Sequence, residues 1–204
     1  MGISLSLFLD VLLLLVVLFP CALMYLNKKS VQEFGKAFFS SFLFVSVYLF
    51  FTVEWLWNIF KFNYPIYKFL LLGILCTALS LSLECGIAKI KFNEIKVMNL
   101  KSDNIFIYSM VLVFIPVVEE IFFVGYLNII CERLQIGSLF FVLFSGFSFG
   151  INHIIYSRLN VLTKTVWGII FAIFYLLTRN LYIVIFSHIL NNLILFLIGK
   201  RTKR

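Results

Sequence analysis

Residues 105–130 read IFIYSMVLVFIPVVEEIFFVGYLNII. A helix needs about 20 apolar residues to cross the hydrocarbon of a bilayer, and this run supplies them. A strand of a membrane barrel would be about ten residues long with strict alternation, which this stretch does not show. Near its middle stand two adjacent carboxylates, Glu119 and Glu120. The rest of the chain agrees with a membrane setting. Of 204 residues, 63% are hydrophobic and 13% charged, and the mean hydropathy is +1.08. A soluble domain is about 45–50% apolar and about 25% charged. Folded in water, this chain would leave more apolar surface than one core can hide. That excludes an ordinary soluble domain, a disordered tail and a secreted disulfide scaffold.

Working outward from 105–130, six more apolar stretches are long enough, or nearly so, to span: about 3–26, 37–58, 66–88, 138–156, 161–178 and 181–199. The expectation is an all-α polytopic membrane bundle of about seven transmembrane helices. The linkers are short and nothing divides the chain, so residues 1–204 read as a single integral membrane domain. The first stretch lacks a basic leader and a small-residue cleavage site, so it reads as a span rather than a removed signal peptide. The Met1-Gly2 start with Ser6 fits a myristoylation pattern but runs straight into apolar residues, and is set aside.

The net charge of +8 comes from 17 Lys and Arg against 9 Asp and Glu. These basic residues lie between apolar runs, which points to membrane lipids and orientation and not to nucleic acid. Loops 27–36, 89–104 and 157–164 and the tail after 199 hold thirteen of them, and the intervening loops hold four. Cytoplasmic loops carry the excess of Lys and Arg. The asymmetry therefore places the N-terminus outside and the C-terminus in the cytoplasm. The four cysteines, Cys21, Cys76, Cys85 and Cys131, form no CxxC and read as small buried hydrophobes.

Ionisable groups at membrane depth are costly and usually serve a site. Glu54 and Glu84 lie near span ends and read as reaching the headgroups, while Asp10 has no evident partner. Glu119 and Glu120 lie deeper. Two carboxylates side by side there cannot both ionise cheaply, and adjacent helical positions point about 100° apart. One can face a cavity while the other is held by a neighbour. Pro116 and Gly125 bracket the pair, so a kink or local opening is expected. The chain has only two histidines. Phe149 and His153, and His188 and Asn192, are each spaced i,i+4 and share a helix face. Packing of three helices could bring Glu119, His153, His188 and Asn192 to one cavity.

At these residues the sequence resembles the CPBP family of intramembrane proteases, also called the Abi or CAAX amino-terminal protease family. It includes type II CAAX prenyl endopeptidases and bacteriocin self-immunity proteins. The family motifs EExxxR, FxxxH and HxxxN/D occur here in order as Glu119-Glu120-xxx-Val124, Phe149-xxx-His153 and His188-xxx-Asn192. The likeness covers roughly 105–199, the expected protease core, with residues 1–104 as additional transmembrane helices. Val124 departs from the family arginine, with Arg158 and Arg179 as candidate substitutes.

The resemblance implies an endopeptidase of the plasma membrane, bacterial in kind, acting on a hydrophobic or lipid-tethered peptide or protein. It assigns Glu119 as general base, with His188 orienting water. His153 and Asn192 become oxyanion donors, and Glu120 positions the other groups. No cofactor is required in that scheme. A metal version stays open, since Glu119, His153 and His188 could hold Zn²⁺ with one position free. Two other functions compete: a non-catalytic immunity or scaffold protein, supported by Val124, and a small proton-coupled transporter.

Overall fold

The computed structural model describes residue 8 and residues 64–93, 105–154 and 157–201. The rest of the spans expected over 3–26 and 37–58, together with Asp10, Glu54 and Cys21, lies outside the described residues. Within them the secondary structure is helical, with no strand. Helix α1 is Ile66–Phe92. Helix α2 is a continuous run of alternating character: α over Ile105–Ser109, π over Met110–Phe114, α over Ile115–Glu120, π over Ile121–Tyr126 and α over Leu127–Arg133. Helix α3 is Ser138–Ile151, α4 is Arg158–Thr178 and α5 is Leu181–Arg201. Four helices among the described residues are long and apolar enough to cross a membrane: Ile66–Lys91, Met110–Arg133, Arg158–Thr178 and Leu181–Lys200. The chain is an integral membrane protein.

Helix α3 falls short of the span expected over 138–156. Its 14 residues rise about 21 Å at 1.5 Å each, less than the roughly 30 Å of hydrocarbon. The apolar run continues beyond it, but two polar side chains end the helix. Asn152 Nδ2 donates to Ser148 O at 2.9 Å, and His153 Nδ1 donates to Phe149 O at 2.8 Å. The last carbonyls of a helix need such partners. His153 therefore sits in the turn just after α3, still against Phe149, their ring centroids 4.9 Å apart.

Packing inverts the soluble pattern. In α1 the buried positions are Gly73, Cys76, Thr77, Ser80, Glu84 and Ala88, a helical stripe of small and polar residues. Leu70, Leu71, Ile74, Leu75, Leu79 and Leu83 face outward. Glu84 belongs to that stripe and is fully buried, so the expectation that it reaches the headgroups is corrected: the stripe, not the distance from the span end, sets its surroundings. Hydrogen bonds tie α1 to α5. Ser187 Oγ donates to Gly73 O at 3.0 Å and Asn191 Nδ2 to Ser80 Oγ at 2.7 Å. Lipid offers no hydrophobic drive between helices, so small-residue contact and such bonds hold them together.

The α4–α5 connection is two residues long. Arg179 takes a left-handed conformation with φ 50°, and Asn180 Oδ1 accepts from Tyr182 N at 3.0 Å to open α5. So short a link makes α4 and α5 antiparallel neighbours. The closest approach is between α3 and α4. A Cβ added to Gly168 would stand 2.8 Å from Gly146 Cα and 3.2 Å from Ser145 O, and one on Gly150 would stand 2.7 Å from Val161 O. Backbone cannot give way as a flexible side-chain end does.

Gly168→Ala should therefore destabilise the protein by about 1–3 kcal/mol, as overpacking does. Gly86, in α1, has nothing within 4 Å of an added Cβ. Gly86→Ala should instead be neutral or raise stability by roughly 0.5–1 kcal/mol. Thermal unfolding of both variants in detergent reads the opposite signs, and equal shifts would contradict the close approach.

Candidate active site

Three elements bring the scarce polar groups together. Glu119 and Glu120 end the α segment Ile115–Glu120, between the two π segments of α2. A π turn inserts extra backbone into a helix and is frequent at functional sites. The kink anticipated from Pro116 and Gly125 thus takes the form of two wide turns. One is anchored from outside: Ser145 Oγ of α3 donates to Phe123 O at 2.7 Å, wholly within the core. Helix α5 supplies His188, and the turn after α3 supplies His153.

The two carboxylates divide as adjacent helical positions require. Glu120 turns inward, where its Oε1 and His188 Nδ1 share a hydrogen bond at 2.6 Å, both side chains 2% exposed. Glu119 faces both imidazoles. Its Oε2 is 3.7 Å from His188 Nε2, and its Oε1 is 3.9 Å from His153 Nε2. The Glu119 and His153 side chains are 13% and 15% exposed. The site is therefore sealed at Glu120 and His188 and opens toward Glu119 and His153. A carbonyl only accepts, so the 2.8 Å contact with Phe149 O places a proton on His153 Nδ1 and, in the neutral ring, leaves Nε2 as an acceptor facing Glu119.

Aromatic rings wall His188. Phe149, Trp167 and Phe171 stand 5.8, 5.3 and 5.5 Å from it between ring centroids, and all three are buried. They exclude water from the His188–Glu120 pair, where low polarity strengthens a hydrogen bond and raises the cost of breaking it.

Asn192 lies one turn beyond His188 in α5 and is buried, with Oδ1 lacking a hydrogen-bond partner among the described residues. Helical register, not a direct contact, puts it beside the site. Its neighbour Asn191 turns to Ser80 instead. Arg179 does not replace the missing arginine, since it pairs with Glu132 at 2.5 Å on a surface where both are over half exposed. Arg158 is likewise exposed, at the start of α4. Lys164 does not belong to the loop expected over 157–164. It lies inside α4, buried, its Nζ 3.2 Å above the Trp167 ring. Its spacing of three from Trp167, within an apolar run, was the signal available for it. Phe171, four residues past Trp167, also walls the site, and an apolar ring in an apolar run carries no signal for that role.

A metal ion held by Glu119, His153 and His188 would draw these groups closer together. Two ligands of tetrahedral zinc, each about 2.0–2.2 Å from it, stand roughly 3.3–3.5 Å apart, whereas the relevant pairs here are 3.7 and 3.9 Å apart. Among the described residues no group of three or more His, Cys, Asp and Glu is arranged to hold a metal ion.

The family model of type II CAAX prenyl endopeptidases, Rce1-like, matches residues 101–194. Over this segment the chain is similar to the Rce1-like family. The matched residues contain Glu119, Glu120, His153, His188 and Asn192, so the family expected from the motifs is the one found. No curated protein and no solved structure matches the chain. The segment that resembles this family is thus the one that carries the candidate site on its helices.

The buried pair yields a stability prediction. His188→Ala leaves Glu120 in an apolar enclosure without its partner. Loss of one member of a buried pair costs about 3–5 kcal/mol. His153→Ala should cost less, because Glu119 is partly open to its surroundings. Detergent unfolding curves check the order, and a larger loss for His153→Ala would contradict it.

Proposed function

We propose that the protein is an intramembrane endopeptidase that cleaves a hydrophobic or lipid-tethered peptide with Glu119 as general base. The observation that supports it most is the convergence on Glu119 of two imidazole nitrogens, one of them held from behind by Glu120. Hydrolysis needs an activated water, a stabilised oxyanion and a protonated leaving amine. In this reading a water lies between Glu119 and the imidazoles. Glu119 takes its proton as the oxygen attacks the carbonyl carbon. His188, its Nδ1 committed to Glu120, directs Nε2 toward that water.

The Asn192 amide donates to the oxyanion. His153 refines the simpler expectation of an oxyanion donor. Its Nδ1 proton is engaged with Phe149 O, so Nε2 donates only once the ring has gained a second proton. His153 then relays the proton from Glu119 to the departing nitrogen as the C–N bond breaks, releasing an amine and a carboxylate. No step passes through a metal. The more open side of the site, at Glu119 and His153, is the entry for substrate.

The same proposal takes the chain as one domain of seven spans in a bacterial plasma membrane, N-terminus outside and C-terminus in the cytoplasm, with residues 105–199 as the protease core. The scaffold reading draws on one observation: position 124 is a buried, uncharged Val.

Purified wild type should cleave members of a panel of membrane-anchored peptides, with and without chelator. Glu119→Gln should lower the rate by roughly 10²–10⁴, the contribution of a general base. Asn192→Ala should lower it by about 10²–10³, as for an oxyanion donor. Cleavage that survives Glu119→Gln would sink the mechanism, and loss on chelation restored by Zn²⁺ would overturn its metal-free form. No cleavage by any form, with partner binding retained in Glu119→Gln, would favour the scaffold.

A further inference from the structure

His188 is bracketed in α5 by two polar residues that turn away from the site. Ser187 precedes it and Asn191 lies one turn beyond, and both are fully buried. At about 100° per residue, Ser187 and Asn191 stand about 40° apart around the helix, while His188 points roughly 60–100° away from them. Helix α5 thus has a second polar face beside its active-site face, and that second face meets α1.

Asn191 Nδ2 lies 2.7 Å from Ser80 Oγ. The single proton of the Ser80 hydroxyl stays with its own helix, 2.8 Å from Cys76 O and 3.1 Å from Thr77 O. Its oxygen is left as an acceptor, so the Asn191 amide must donate. One turn earlier, Ser187 Oγ lies 3.0 Å from Gly73 O and 2.7 Å from Ile183 O. Beside it the Phe186 ring packs on Phe69, their centroids 5.3 Å apart. The approach leaves no room at Gly73, where an added Cβ would stand 2.5 Å from Phe186 Cδ1.

Lipid gives packed helices no hydrophobic drive to keep their register, so close contact and buried hydrogen bonds must keep it. The Glu120–His188 bond joins α5 to α2 through the ends of two side chains, whose torsions can follow a small slide of α5 along its axis. The short side chains of Ser187, Asn191 and Ser80 grip next to the backbone and cannot. Helix α1 also lies outside residues 101–194, the segment similar to the Rce1-like family.

We propose that α1 sets the axial position of α5 through the Ser80–Asn191 bond, and so fixes how far His188 Nε2 stands from Glu119. Ser80 and Asn191 are positioning residues. Neither touches substrate or the reacting atoms, and both act through His188. The proposal deepens the endopeptidase reading and in its kinetic arm rests on it.

The test compares wild type with Ser80→Ala, Ser80→Thr and the double variant Ser80→Ala/Asn191→Leu, each confirmed folded by thermal unfolding in detergent. Ser80→Ala strands a buried donor, whereas the double variant removes both polar groups and so protects folding. In both, kcat should fall by roughly 10- to 100-fold, as small misplacements of catalytic groups do, while KM changes less than about twofold. Ser80→Thr keeps the hydroxyl and should recover most of the rate. Leu79→Ala, next in sequence but facing outward, should leave kcat unchanged.

A second readout needs no substrate. The chain has two histidines, so protein labelled with nitrogen-15 histidine gives two sets of imidazole nitrogen signals, assigned with His153→Gln. The His188 signals should shift or broaden in the double variant and match wild type in Ser80→Thr. Those of His153, held by Phe149 O, should stay in place. A loss of stability alone would move neither kcat nor these signals. A folded double variant with wild-type kcat and wild-type His188 signals overturns the proposal. Should wild type cleave nothing, the endopeptidase reading fails, and the His188 signals still decide whether α1 positions that ring.

Discussion

Glu120 and His188 share a 2.6 Å hydrogen bond in a place neither can leave for water. Both side chains are costly to bury alone, and each relieves the other. That bond fixes α2 to α5 and sets the rotation of both helices. With Glu120 turned inward, its neighbour Glu119 must point toward the imidazoles. With His188 Nδ1 engaged, Nε2 must face Glu119. The orientation of the site follows from one buried pair.

The surrounding packing protects that pair. The π segments on either side of Glu119–Glu120 widen α2 where the carboxylates turn, and Ser145 satisfies a carbonyl within one of them. Close contact of α3 and α4 at Gly146, Gly150 and Gly168 brings Phe149 and Trp167 against His188. A bulkier seam would pull that wall apart and admit water to the pair. The early end of α3 serves the same purpose, because it frees His153 from the helix and turns its Nε2 to Glu119.

The site was largely legible because polar groups are scarce in an apolar chain. Glu119, Glu120, His153 and His188 stood out for that reason, and the structure does gather these four. Asn192 was legible only as the residue one turn past His188, and only register places it. Other features escaped for physical reasons. Lys164 lies at the edge of an apolar run, where a basic residue usually marks topology, so its burial could not be inferred from charge. Glu84 sits on a stripe of small residues that a hydropathy window cannot tell from a lipid-facing one. The run 138–156 is apolar enough for a full span, but Asn152 and His153 cap the helix with their own side chains. Pro116 and Gly125 hinted at distortion in α2 without revealing that it consists of π turns.

The decisive question is whether Glu119 activates water or itself attacks the peptide. Single-turnover cleavage in oxygen-18 water, followed by mass spectrometry of product and protein, answers it most directly. With Glu119 as general base, one heavy oxygen appears in the new C-terminal carboxylate of the product and none in the Glu119 peptide. Heavy oxygen in the side chain of Glu119 would mean a covalent acyl intermediate and would contradict the water-activating site.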